Sequence, residues 1–126
     1  MKTEQLSLFS EKINNIDIVD NIIYTDSGYN WHETINGCGT GTICIVINNE
    51  PPIIQTLELC FPGLTQLNNR FELKAIEIAK EIVKERGLNN VHYYSDSKIA
   101  DCWAKDKNIS WVTREQNLAG IVLENQ

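Results

Sequence analysis

One long stretch of the chain carries apolar residues at helical spacing. Residues 65–87 read TQLNNRFELKAIEIAKEIVKERG. Ala75, Ile76, Ala79, Ile82 and Val83 form one apolar face, and Gly87 is a helix stop. Glu72 falls at the N-terminal end of that face, where a carboxylate is costly unless something pairs with it. The plainer alternative is a rim residue beside the helix dipole. Shorter apolar runs predict strands at residues 19–26, 41–49, 53–61, 91–95 and 108–112. Short helices are expected at 96–105 and 114–124. Ser27–Gly28, Pro51–Pro52 and Pro62–Gly63 punctuate the first half. Three strands joined by short connections predict an antiparallel meander. The strand–helix alternation that follows predicts parallel strands with crossovers. The expected class is α/β: a five-stranded mixed sheet, βββαβαβα, flanked by helices.

A chain of 126 residues, 42% hydrophobic and 22% charged, suits one globular domain. Residues 1–18 are polar around one apolar island and are read as a flexible tail. The domain is expected over 19–126. No apolar run approaches the ~20 residues of a membrane span, and no signal segment opens the chain, so a cytoplasmic protein is expected. Cys38, Cys44, Cys60 and Cys102 lack C-x-x-C spacing and are read as reduced core thiols. With only His32 and His92 besides, no zinc site is expected. The net charge of −6 argues against non-specific nucleic-acid binding. Yet nine of the basic residues, from Arg70 to Arg114, lie in the second half, which allows a locally basic surface. The glycines of residues 37–41 (GCGTG) do not join a strand to a helix, so a hairpin turn or bulge is expected there rather than a phosphate loop. Trp31, Trp103 and Trp111 are read as packing residues.

Asp26 and Asp96 close the first and fourth predicted strands, in YTDSG and YYSDSK. If those strands are parallel neighbours, both acids reach one sheet edge, and the helix bearing Glu72 crosses it. Three converging carboxylates call for cations. Oxygen donors suit Mg²⁺, and two such ions about 4 Å apart can activate water against a phosphodiester. The alternative is that both aspartates are turn or N-cap residues.

The segments YTDSG, NNRFELKAI, YSDSK and ISWVTREQN, in this order, resemble the ribonuclease H family over about residues 20–124. The resemblance implies a ribonuclease H-like fold and cleavage of the RNA strand of RNA–DNA hybrids with Mg²⁺ or Mn²⁺. By matching position, Asp26, Glu72 and Asp96 would be catalytic metal ligands. Asn68 and Asn69 would hold the hybrid backbone, and Arg114 and Asn117 match a turn before the last helix. Arg70, Lys74 and Lys98 are candidate phosphate contacts. The family's fourth acid has no counterpart: its place falls at Gly120 or Ile121. Glu124, one helical turn past Gly120, is the candidate replacement ligand. A basic handle and a His-bearing loop are also missing. The alternatives are therefore a non-catalytic binding module of this fold and a DNA-directed nuclease or resolvase.

In the tail, Gln5, Leu6, Ser7, Leu8 and Phe9 resemble the pentapeptide that docks bacterial replication proteins on the sliding clamp. Gln5 offers an amide; Leu8 and Phe9 offer apolar anchors. The expected partners are thus an RNA–DNA hybrid and the clamp, with no membrane and a monomeric chain.

Overall fold

In the computed structural model, residues 20–30, 38–60 and 67–126 are described. The tail and its pentapeptide lie outside them. Three strands come first: β1 (Asn21–Asn30), β2 (Cys38–Ile47) and β3 (Ile53–Cys60). Then follow α1 (Leu67–Arg86), β4 (Val91–Ser95), α2 (Lys98–Ala104), β5 (Ile109–Trp111), a 3-10 turn (Arg114–Gln116) and α3 (Leu118–Glu124). The sheet order is β3-β2-β1-β4-β5. The first three strands pair antiparallel, and β4 joins β1 and β5 in parallel. The meander followed by crossovers is therefore as expected.

Strand β2 is covered on both faces, which explains its unbroken apolar run. Ile43, Ile45 and Ile47 pack with Ile23 under Ala75, Ile76 and Ala79 of α1. The alternate residues Cys44 and Val46 meet Ala119, Val122 and Leu123 of α3. α1 ends where Gly87 takes a left-handed φ of 66°.

Three boundaries differ from the expectation. β1 does not stop at Ser27–Gly28, because β2 supplies antiparallel partners as far as Asn30↔Thr40. Cys38–Gly41 is strand, not a turn or bulge. Gly41 is needed for close approach: a Cβ there would lie 2.8 Å from the Phe71 ring and 2.9 Å from the Gly28 carbonyl oxygen. The last helix is split, because Asn117 is extended (φ −89°, ψ 104°) and caps α3 through its side chain.

The cysteine reading is also corrected. Cys38 and Cys60 are directly opposite in the β2–β3 register and form a disulfide. Cys44 is a buried thiol, and Cys102 is an exposed one. Spacing along the chain could not reveal a pair made by strand register. Among the described residues, no helix is long and apolar enough to cross a membrane.

Candidate active site

The parallel pairing of β1 and β4 ends at Tyr24↔Tyr94, whose rings stack with centroids 5.4 Å apart. Asp26 comes two residues further along β1, and Asp96 is the first residue past the end of β4. Side chains alternate with period two, so Asp26 follows Tyr24 on the same face of β1. Asp26 remains inside β1, opposite Cys44, and so is not a turn residue at a strand end. Asp96 is not the helix cap either. Ser97 caps α2, its hydroxyl accepting from the Ala100 amide at 3.1 Å. That leaves the Asp96 carboxylate for other work. Its backbone carbonyl accepts from Trp111 Nε1 at 3.2 Å.

Glu72 enters from α1. Phe71, fully buried, lies against Gly41 and sets the height of the helix start on the sheet. The next side chain then reaches Asp26 and Ser27. Oxygens of Asp26, Glu72 and Asp96 all lie within 4.8 Å of one another. Burial, then the charge of Asp96, pushes the Asp26 carboxyl up to about 6. Burial, then the charge of Asp26, holds Glu72 well above the ordinary carboxylate range.

Glu72 Oε1 is buried with no hydrogen-bond partner among the described residues. An orphaned carboxylate oxygen facing two more carboxylates is a donor set for a hard divalent cation such as Mg²⁺ or Mn²⁺. The residues present fit such an ion.

The other expected site residues divide into two groups. Asn68, Asn69, Lys98 and Arg114 line a cleft of ≈520 Å³ together with Glu72, Asp96, Ser97 and Trp111. Lys98 Nζ lies over the Trp111 ring, 4.6 Å from its centroid. Arg70 is not among the described residues lining this cleft, and Lys74 pairs with Glu77 at 3.7 Å along α1. Asn117 is buried, away from any ligand. Its Nδ2 donates to the Thr25 carbonyl at 2.9 Å, and its Oδ1 accepts from the Ala119 amide at 3.1 Å. It ties α3 to β1 one residue before Asp26. Glu124 is not brought to the carboxylate group. Its Oε2 accepts from Arg114 Nε at 3.2 Å, which keeps the guanidinium firmly charged. Gly120 faces Asp26: it is buried, and a Cβ built on it would stand 3.1 Å from Asp26 Oδ2. Ile121 is 38% exposed.

Trp111, read from the sequence as a packing residue, sits at the rim of this cleft at 45% exposure. The register Ser95↔Trp111 places it beside the residue preceding Asp96. Its position at the end of the last strand was the available signal.

No family model matches the sequence, and no curated protein does. Solved structures do resemble it. The N-terminal ribonuclease H domain of a Mycobacterium tuberculosis protein matches with a TM-score of 0.50 and 15% identity, over 85% of this chain and 95% of that one. LC11 ribonuclease H1, in a crystal with an RNA/DNA hybrid, matches with a TM-score of 0.48 and 21% identity, over 79% and 89%. Ribonuclease H1 from the archaeon Halobacterium salinarum matches with a TM-score of 0.47 and 17% identity, over 86% and 100%. The chain has a ribonuclease H-like fold.

Proposed function

We propose that this chain is a divalent-metal-dependent endoribonuclease that cuts the RNA strand of RNA–DNA hybrids. The observation that carries this reading is the meeting of Asp26, Glu72 and Asp96 within 4.8 Å, on a fold whose solved examples include ribonucleases H. Asp26, Glu72 and Asp96 would hold Mg²⁺ or Mn²⁺. Such ions, when bound, activate water and stabilise the leaving oxygen of a phosphodiester. The protein's own contribution is placement. Asn68 and Asn69 at the start of α1 offer amides to the hybrid backbone. Lys98 and Arg114 line the same cleft and supply the positive charge that an approaching phosphate needs. Trp111, fixed to Asp96 through its indole N–H, walls the cleft.

The test is cleavage of labelled RNA–DNA hybrid, double-stranded RNA and branched DNA, each with Mg²⁺ or Mn²⁺. Hybrid alone should be cut, and Asp26→Asn should abolish the cutting. Equal cleavage by that variant removes the reading. Cutting of branched DNA in place of hybrid selects a resolvase.

Gly120 favours a second reading, because it puts no side chain where it faces Asp26. On that reading the domain binds hybrid without cutting it. The same assay, read for retention as well as cleavage, separates the two.

Residues 5–9 extend the first reading. Gln5, Leu6, Leu8 and Phe9 would dock on a bacterial sliding clamp, and tethering to a DNA-encircling ring gives a millimolar-scale local concentration of substrate. Deleting residues 1–10 should spare cleavage of free hybrid and end co-elution with the clamp. Unchanged co-elution rejects the docking.

A further inference from the structure

The β2–β3 pair carries a second set of ligand atoms at the end away from its turn. Its register sets Cys38 opposite Cys60 and Thr40 opposite Glu58. By strand alternation, Cys38, Glu58 and Cys60 share one face of the sheet. It is the face on which α3 covers Cys44 and Val46. Farther along, that face opens to solvent: Glu58 and Cys60 are exposed and Cys38 is half-buried. The two sulfurs and a Glu58 carboxylate oxygen all lie within 4.8 Å of one another.

The sulfurs are joined, with their Cα atoms 3.9 Å apart. A disulfide persists in an oxidising compartment, and in a reducing one the same pair is a dithiol. The chemistry of conversion is simple. A dithiol reductant attacks one sulfur, passes through a mixed disulfide and leaves as its own disulfide. Two electrons and two protons stay on Cys38 and Cys60. The strands do not separate, because pairing continues from Gly39↔Leu59 to Ile45↔Ile53. Reduction therefore leaves two thiols facing each other with a carboxylate beside them.

We infer that this reduced end of the β2–β3 pair is a binding site for Zn²⁺ or a cation of its class. Cys38, Cys60 and Glu58 are the ligands. Two thiolates and one carboxylate match a borderline-soft ion, and water completes a tetrahedron. Binding releases the two thiol protons, and oxidation to the disulfide expels the ion. The site is distinct from the Asp26 group, whose oxygen-only donors select harder ions. It also stands independently of the nuclease reading. Sequence spacing spoke against a zinc site; strand register supplies what spacing lacks.

The test uses the full chain, reduced with a phosphine and freed of it, then titrated with Co²⁺ and afterwards with Zn²⁺ against a chromophoric chelator. One equivalent of Co²⁺ should give a thiolate-to-cobalt charge-transfer band that Zn²⁺ removes. The oxidised chain should give none, a comparison that needs no variant to fold. Cys38→Ser should lose the band and Cys102→Ser should keep it. Glu58→Gln should weaken Zn²⁺ binding at least about tenfold. Absence of the band from reduced wild-type protein overturns the site, as does its survival in Cys38→Ser. Unchanged affinity in Glu58→Gln overturns the three-ligand assignment.

Discussion

Gly120 stands against the carboxylate of Asp26, with room for a Cβ only 3.1 Å from Oδ2. The position is buried, and its backbone φ is not left-handed, so a side chain is limited by Asp26 rather than by strain. Gly120→Asp should bring a fourth carboxylate to the group. In metal-free protein near pH 7 it should lower the melting temperature by a few degrees, through added repulsion and crowding. It should also lower the Mn²⁺ concentration needed for half-maximal cleavage. An unchanged metal requirement would show that α3 does not face the bound ion.

Asp26 makes the bare protein sensitive to pH. Its folded value of about 6 lies above the ordinary 3.8, so the folded chain holds that proton longer than the unfolded chain does. Stability should therefore fall as pH rises from about 4 through about 6, and Glu72 extends the fall in the same direction. Mg²⁺ should restore the melting temperature at pH 7 to 8 and do little near pH 4.5. Asp26→Asn should flatten the profile and raise metal-free stability at pH 8 while ending cleavage. Melting scans across pH, with and without Mg²⁺, measure all three effects.

Asn117→Ala removes the cap of α3 and orphans the buried Thr25 carbonyl. A lost cap and an unsatisfied buried acceptor together should cost about 2–4 kcal/mol, seen as a lower urea midpoint. Cleavage should fall with it, because Gly120 and Asp26 lose their common anchor. A change in substrate affinity at unchanged stability would instead assign Asn117 a substrate-binding role.

Gly41→Ala forces a methyl group onto the Phe71 ring and the Gly28 carbonyl. The ring can shift, but the carbonyl belongs to a paired strand and cannot. Overpacking of this kind should cost about 1–3 kcal/mol. It should also lift the start of α1, so that kcat falls more than stability alone explains. Denaturant titration and single-turnover rates distinguish the two effects.

Glu124→Gln should leave the metal requirement unchanged, because Glu124 is engaged with Arg114. Its exposed ion pair contributes at most about 1 kcal/mol, so stability should hardly move. Arg114→Ala should raise the KM for hybrid and reduce its salt dependence. Metal titrations of both variants test this; a shifted metal midpoint in Glu124→Gln would restore it as a ligand.

Much of this was legible in the sequence because it depended on local period. The α1 pattern, the short β4 and the order of elements follow from spacing alone. Asp26, Glu72 and Asp96 were legible as candidates because they fall in recognisable segments, although Asp26 lies within β1 and not at its expected end. What stayed hidden depended on partners far along the chain. β1 runs through Ser27 and Gly28 because β2 offers matching backbone, which outweighs their turn preference. The Cys38–Cys60 bond needs a register that spacing does not encode. The resemblance placed Asn117 in a turn before the last helix, but could not show that its amide is consumed inside the fold.

The place where β1 and β4 part after Tyr24 and Tyr94 makes the chemistry a matter of parity. One residue inserted between Tyr24 and Asp26, inside β1, would rotate that acid through the sheet to the opposite surface. Two inserted residues would preserve its face but carry it some 6–7 Å onward, past its neighbour. The step from Tyr24 to Asp26 therefore tolerates no change in length.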